Sequence, residues 1–379
     1  MLIVFESLST EYLGLTEGET IYTPFLAELA SKSIFFPNFF ANGRRSIDAL
    51  PSLIFSIPNY LPEPFISSSY QSNEIVGLPT LLKSSKYRSY FFHGGKNGTM
   101  FFDIMASRAG FDQYFGKNEY PDSSHFDGAW GIYDNFFFDF FVDELDRQYL
   151  LNSDTPFFAT LFTLSSHNPY KIPKHLEARY PDGLLKIHKS VRYVDDSLKN
   201  LFEKISKKEW FSNTIFFITG DHTAELESPK YANNLGKYTV PLFIYSPMIR
   251  PFIVEQIAQQ IDFLPTVLGV TNTKSGQATL FGRNLLSNSP LGGFSYFRLG
   301  GGYQLVTPKL SVFLADNGIV SFSDKAHDLL ISETKNLNTP YKDLKIHKAE
   351  QLQLGETELL KYLKATVQYH HESMERNAF

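Results

Sequence analysis

Gly220-Asp221-His222 closes a run, Asn213-Thr-Ile-Phe-Phe-Ile-Thr219, dominated by β-branched and aromatic residues. Such a run reads as a buried strand of an α/β sheet. In open parallel sheets, ligands bind just beyond the carboxyl ends of the strands. An adjacent carboxylate and imidazole there can both turn toward one cation. The same dipeptide also suits a plain turn with a helix cap, so the metal reading needs ligands from other strand ends. Glu6 stands at the end of the apolar run Leu2-Ile-Val-Phe5, with Ser7, Ser9 and Thr10 around it. Ser46, in Asn42-Gly43-Arg44-Arg45-Ser46, supplies a hydroxyl. Read blandly, Ser46 caps a helix over Ile47 to Ile57, in which Pro51 sits awkwardly. Read functionally, it is a nucleophile whose attacked phosphate lies over the free amides of that helix.

Glu6, Ser46, Asp221 and His222 together make a mixed, mostly oxygen ligand set for one divalent cation. Mn²⁺ suits it first, with Zn²⁺ or Mg²⁺ as competitors. Placing the hydroxyl on the metal has a chemical reason: coordination lowers its pKa and aims its oxygen. Arg44 or Arg45 can then offset charge on the remaining phosphoryl oxygens. His167 follows another strand-like run, Pro156 to Thr163, and stands near the site without joining the ligands.

The elements that must carry these residues alternate along the chain. Thr23-Pro24 opens a short helix, with Pro at its first position. Phe35, Phe36, Phe39 and Phe40 form an extended stretch interrupted by Pro37. Tyr87 to Gly95 reads as a strand, Phe101 to Arg108 as a helix, and Asn135 to Leu145 as a helix with an apolar side. Ser190 to Ile205 is a long amphipathic helix, Thr239 to Tyr245 a strand, and Gln260 to Leu268 the start of a helix. After about Gly282, short β-like runs between Gly-Gly, Pro and Asn-Gly signals suggest a small antiparallel unit. A final helix covers roughly Ala349 to Tyr369. The expected division is therefore 1–282 for a catalytic α/β domain and 283–379 for a C-terminal subdomain.

Composition bounds the function. At 379 residues, with 43% hydrophobic and 20% charged, the chain suits one large folded unit. A net charge of −5 and the absence of any Lys/Arg block argue against nucleic acid. No cysteine is present, which removes disulfides, thiol nucleophiles and thiolate ligands. The 36 Phe and 21 Tyr read as an aromatic core rather than a lipid-facing surface. No apolar run approaches the roughly 18 residues of a spanning helix.

The motifs, in order, resemble the alkaline-phosphatase/sulfatase-like superfamily, and within it the lipoteichoic acid synthase and phosphoglycerol or phosphoethanolamine transferase branch. They are Phe5-Glu6-Ser7, Asn42 to Ser46 with Leu50-Pro51, His93-Gly94, Gly110-Phe-Asp112, Trp130 to Asp134, Ser166 to Tyr170, Gly220 to His222, Val240-Pro-Leu-Phe and Asp262 to Thr266. The resemblance implies an alkaline-phosphatase-like sandwich, a mainly parallel sheet between helices, with a small C-terminal antiparallel α+β subdomain. It implies that Glu6, Asp221 and His222 bind the metal and that Ser46 takes the nucleophile's place. His167 matches a histidine that contacts the substrate phosphate, and Asn42, Arg44 and Arg45 fall beside it on the substrate side. It further implies a covalent phospho-group intermediate, a phospholipid-type donor and a glycan or lipid acceptor. Its location would be the outer face of the cytoplasmic membrane, through an N-terminal anchor that this chain does not include.

Three departures shape the expectation. Glycerol-phosphate polymerising enzymes carry Trp and Arg in the segment corresponding to Met100-Phe101-Phe102, and neither is here. The phosphoethanolamine transferases have cysteine bridges and a further histidine near the position of Asn233-Asn234. Sulfatases follow their nucleophile with x-Pro-x-Arg, which Ser46-Ile-Asp-Ala-Leu50 lacks. Hydrolysis of phosphate mono- or diesters is the alternative within enzymes, and a catalytically silent lipid-binding or regulatory member the alternative outside them.

Overall fold

The computed structural model describes residues 1–276, 278–287, 293–324, 329–330, 337–338, 341, 344–347 and 354–379. Its centre is a strand buried along its whole length, β1 (Leu2–Phe5). Consecutive side chains of a strand point to opposite faces, so Ile3 and Phe5 enter one apolar cluster while Leu2 and Val4 enter another. Both faces being buried explains why the strand is apolar throughout rather than alternating.

β5 (Phe157–Phe162) and β6 (Phe216–Gly220) flank β1 in parallel. Outward from β5 come β3 (Arg88–His93) and β4 (Gln113–Phe115), also parallel. Outward from β6 come β7 (Thr239–Tyr245), β2 (Ile34–Phe40), β8 (Phe252–Val254) and β14 (Ile346–His347), with β9 (Ala258–Gln259) beside β2. β7 runs antiparallel to both its neighbours, and every other pairing in this sheet is parallel among the described residues. Pro37 sits within β2 because the register shifts between Phe36 and Phe39, a bulge where no ladder donor is required.

One face of the sheet is covered by α1 (Pro24–Ala30), α5 (Asp134–Leu151) and α6 (Lys186–Ile205). On α6, Val191, Val194, Leu198, Leu201 and Ile205 recur at helical spacing and are all buried. The other face is covered by α2 (Ser46–Phe55), α3 (Leu78–Lys83), α4 (Phe102–Ala109) and α7 (Phe263–Thr271). The result is a three-layer α/β sandwich. The aromatic wealth goes into this core: Phe92 and Phe115, paired in register across β3 and β4, stack at 4.5 Å.

β10 (Ser295–Arg298), β11 (Gly302–Val306), β12 (Ser311–Ala315) and β13 (Val320–Ser323) form the small antiparallel sheet. α8 (Glu356–Arg376) packs Leu359 and Leu363 against Tyr296, Leu305 and Val312, and its Met374 reaches the main core. None of the described helices is long and apolar enough to cross a membrane.

Several local boundaries differ from the sequence expectation: α6 begins at Lys186 rather than Ser190, α5 runs on to Leu151, and α2 ends at Phe55. The strand expected from Asn213 begins at Phe216, because Glu209–Asn213 forms a 3₁₀ turn. Ser46 is the first helical residue rather than the cap; Arg45, in extended conformation, holds the cap position. Thr23 precedes α1 without capping it, its hydroxyl donating instead to Tyr12 O. The cap comes from α6, where the Asp195 carboxylate accepts the Phe25 and Leu26 amides at 2.8 and 3.0 Å. The last helix runs from Glu356 to Arg376, and the expected start at Ala349 lies outside the described residues.

Candidate metal centre and nucleophile

Register places the first two ligands. Phe5 pairs with Gly220 across β1 and β6, so the next residues, Glu6 and Asp221, leave the sheet side by side at its carboxyl end. Gly220 keeps the two strand ends close: a Cβ there would lie 2.4 Å from Leu8 O. Ser7 turns the chain with φ of 60°, donates its amide to Asp221 Oδ1 at 2.7 Å and its hydroxyl to Glu6 Oε1 at 2.7 Å. The end of β5 braces Glu6 from the other side: its amide donates to Thr163 Oγ1, and Ser166 Oγ donates to its carbonyl.

α2 brings the third element. Ser46 Oγ donates to Glu6 Oε2 at 2.9 Å and lies 3.2 Å from His222 Nε2. That nitrogen is 3.3 Å from Asp221 Oδ2 and 3.7 Å from Glu6 Oε1. His222 Nδ1 lies 2.9 Å from Thr223 O, and a carbonyl only accepts, so Nδ1 carries a proton and Nε2 turns toward the cluster. Ligand atoms of Glu6, Asp221 and His222 all lie within 4.8 Å of one another.

The electrostatics of this cluster ask for a cation. Glu6 and Asp221 are each 1% exposed, and Asp221 Oδ2 is buried with no hydrogen-bond partner among the described residues. Burial, then the neighbouring Glu6, pushes the Asp221 carboxyl up to about 7. For His222 burial works downward, but Asp221 and Glu6 outweigh it and the imidazole is raised. Two buried carboxylates facing one ring nitrogen and one hydroxyl thus fit a divalent ion, which would give Asp221 Oδ2 its missing partner.

The residues expected on the substrate side separate by environment. Arg45 is committed to Asp48 through two hydrogen bonds of 2.9 and 3.0 Å. Arg44 is half-buried, its guanidinium lies 5.7 Å from the centroid of the Tyr238 ring, and its Nε has no partner. Burial pulls Arg44 below its ordinary pKa. Asn42 is fully buried and spent on the fold: its amide donates to Gln259 Oε1 and Tyr296 O, and its Oδ1 accepts from Ile261 N. His167 sits half-exposed beyond β5, its Nδ1 2.8 Å from Asn168 O and its ring against Trp130 at 4.3 Å.

Other residues contribute without an obvious sequence signal. Gln260 donates to Gly220 O and Asp221 O, fixing the end of β6 from the segment before α7. Asp134, at the start of α5, accepts the Leu164 and Ser165 amides and so holds the turn that carries His167. His93 ends β3 fully buried, with Nε2 unpartnered and a pKa lowered to about 4 by burial. Its signals were a place at a strand end before Gly94-Gly95 and a place among the family motifs. Met100 and Phe101 both hold positive φ, and Phe102 lies buried against His93.

Residues 1–273 match the sulfatase family profile. Lipoteichoic acid synthase 1 of Bacillus subtilis (strain 168) is 26% identical over 383 residues, covering 95% of this chain and 56% of that protein. Lipoteichoic acid synthase of Staphylococcus aureus (strain USA300) is 25% identical over 315 residues, covering 75% and 47%. The chain therefore spans about half the length of the curated relatives it matches. A structure of an alkaline phosphatase superfamily protein from Vibrio parahaemolyticus superposes with a TM-score of 0.83 at 23% identity, covering 100% of this chain and 87% of that one. The lipoteichoic acid synthase LtaP from Listeria monocytogenes superposes with a TM-score of 0.74 at 19% identity, covering 99% and 91%. The fold is the alkaline-phosphatase-like α/β sandwich.

Proposed function

This chain belongs to the sulfatase family, and we propose that it is a metal-dependent phosphotransferase acting through Ser46. It moves a phospho-headgroup of phosphoglycerol or phosphoethanolamine type from a lipid donor to a hydroxyl of a glycan or lipid acceptor. The observation that carries this reading is the hydrogen-bonded position of Ser46 Oγ, 2.9 Å from Glu6 Oε2 and 3.2 Å from His222 Nε2, at the start of a helix. The likeness to proteins named lipoteichoic acid synthase supports an envelope-polymer reaction, and the setting that goes with it is the extracytoplasmic face of the cytoplasmic membrane.

Glu6, Asp221 and His222 Nε2 would hold the ion, with the Ser46 hydroxyl beside them; Mn²⁺ suits the donor set, and Zn²⁺ or Mg²⁺ compete. A bound divalent cation supplies Lewis acidity, lowering the hydroxyl's pKa and polarising a phosphoryl oxygen. Ser46 Oγ forms a bond to phosphorus and the bond from phosphorus to the lipid alcohol breaks, that alcohol taking up a proton. In the second half, the acceptor hydroxyl attacks the same phosphorus, the bond to Ser46 Oγ breaks, and Ser46 regains its proton. The free amides at the start of α2 face phosphoryl oxygens, and Arg44, with no carboxylate partner among the described residues, offsets their charge. His167, carried on the turn beyond β5, contacts the donor phosphate. Met100 and Phe101 themselves offer no charged side chain to a headgroup.

Incubation with phosphatidylglycerol or phosphatidylethanolamine and Mn²⁺, Zn²⁺ or Mg²⁺, following headgroup release, tests this reading. Release that rises with an added acceptor alcohol supports transfer. Release to water alone would make the protein a hydrolase, and no release with any metal would make it a silent binding member.

A further inference from the structure

Met100 and Phe101 stand in consecutive left-handed conformations, with φ of 51° and 58°. That backbone is costly for bulky side chains, and such strain collects at functional sites. Here it does not bury the side chain it positions: Phe101 is 45% exposed, and Ile104, three residues on, is 50% exposed. Phe102 between them is fully buried, so the segment is anchored while two large apolar side chains stay in water. The end of β3 fixes its place. His93 pairs with Phe162 at the carboxyl end of the sheet, and the chain leaves it there beside the turn that carries His167. The turn Thr99–Phe101 and α4 then pack on α2, where Ile47, next to Ser46, is partly buried against the same cluster as Met100. Ser46 and the exposed Phe101 thus share one end of the molecule.

The charges beside these side chains are unevenly spent. The Lys96 and Lys117 ammoniums lie 5.1 and 5.0 Å from the centroid of one ring, Phe126, with no carboxylate partner among the described residues. Lys96 N donates to Trp130 O and Lys117 N to Gly95 O, so both lysines are tied to the loop that follows β3. The neighbouring carboxylates are engaged by backbone amides: Asp103 accepts from Ile104, Glu119 from Gly116 and Asp127 from Trp130. Exposed apolar side chains flanked by unpaired cations suit the boundary of an anionic membrane. Leu150 and Leu151 are also exposed, at 67% and 66%, but they close α5. That helix begins at the turn carrying His167, so its last residues stand at the opposite end of the sheet.

We propose that this end of the protein docks on an anionic lipid bilayer. Phe101 and Ile104 enter the boundary between headgroups and acyl chains, and Lys96 and Lys117 meet the anionic headgroups around them. The inference goes beyond the phosphotransfer reading above, since it assigns a surface rather than a reaction. Joined to that reading, it gives the donor a path: a lipid presents its phosphate to Ser46 with its acyl chains still in the membrane. No bond forms or breaks in docking, and the metal centre takes no part in it. The apolar side chains supply the depth and the lysines the preference for anionic lipid, so mutation and salt separate the two contributions.

Sedimentation with vesicles of phosphatidylcholine, alone or mixed with phosphatidylserine, tests this, with EDTA present so that no metal holds a headgroup at Ser46. Phosphatidylserine supplies anionic charge without being the proposed donor. Wild type should bind the mixed vesicles at least about tenfold more tightly than phosphatidylcholine alone, with affinity falling as salt rises. Phe101→Asn with Ile104→Gln should weaken that binding at least about tenfold, since each change withdraws apolar area from the membrane. Asn accepts the left-handed backbone at position 101, and melting checks the fold of each variant; if the pair fails to fold, Ile104→Gln alone carries the test. Lys96→Gln with Lys117→Gln should lose most of the preference for anionic vesicles. Leu150→Gln with Leu151→Gln should bind as wild type does. No binding by wild type, unaltered binding by the folded Phe101 and Ile104 variant, or loss only in the Leu150 and Leu151 variant overturns the proposal. Wild type that ignores vesicles but self-associates through Phe101 and Ile104 gives the surface to a second copy and overturns it too. If wild type docks but releases no headgroup from any lipid with any metal, the phosphotransfer reading fails while the docking surface stands.

Discussion

Gly220→Ala adds one methyl group at the point where β1 and β6 deliver Glu6 and Asp221. Its Cβ would lie 2.4 Å from Leu8 O, where ordinary contact begins at 3.4 Å, so the strand ends must part by about 1 Å. The obstacle is backbone, and Val240 Cγ1 at 3.1 Å closes the other direction, so the strain has little room to relax. Overpacking of this kind costs about 1–3 kcal/mol of stability. The effect on the site should be larger in kind, because metal ligands tolerate only about 0.2 Å of error. Displacing Asp221 from Glu6 should weaken Mn²⁺ binding by roughly 10–100-fold, the scale of a disturbed outer shell. The assay is calorimetric Mn²⁺ titration alongside thermal melting, with Gly301→Ala as the control, since a Cβ there meets nothing closer than 3.8 Å. Wild-type Mn²⁺ affinity in folded Gly220→Ala would refute the claim that strand register sets the ligand geometry.

Arg44→Ala should lower kcat/KM for a phosphodiester by about 10²-fold, as loss of a phosphate-facing cation does. Arg45→Ala should instead cost about 1 kcal/mol of stability by stripping buried Asp48 of its partner, with kcat/KM near wild type; equal losses in the two variants would refute the division. The Asp195 carboxyl, pushed up to about 7 by burial against the helpful Phe25 and Leu26 amides, holds a proton in the folded protein that the unfolded chain releases above about pH 4. Its contribution therefore favours folding at low pH and is lost as pH rises from about 4 through about 7. Urea unfolding of Asp195→Asn should show a shallower decline across that window, and an unchanged slope would refute the assignment.

Three members of the candidate cluster, Glu6, Asp221 and His222, were legible because they sit at strand ends, where a short apolar run stops at a polar residue. Phe5-Glu6 and Gly220-Asp221-His222 announce both the sheet and the site in that way. What the sequence could not carry is pairing across long separations. Nothing local shows that Phe5 faces Gly220, that Gln260 braces the end of β6, or that Asp195 caps α1 from another helix. Arg44 and Arg45 are adjacent and alike in type, and only Asp48 on the first turn of α2 distinguishes them. The antiparallel direction of β7 is likewise invisible in Thr239–Tyr245, whose residues are as apolar as those of its parallel neighbours. The shift of Ser46 from cap to first helical residue matters chemically, since its hydroxyl is thereby free to meet Glu6 and His222.

The central claim is that Ser46 carries the phospho-group, and mass spectrometry of protein quenched during turnover tests it most directly. With phospholipid donor and Mn²⁺ present, the peptide containing Ser46 should bear a substrate-derived phospho adduct. That adduct and turnover should both vanish in Ser46→Ala, while melting changes little because Ser46 does not cap its helix. Full turnover by Ser46→Ala, under conditions where Asp221→Ala is inactive, would contradict the account and put a metal-activated water in place of the serine.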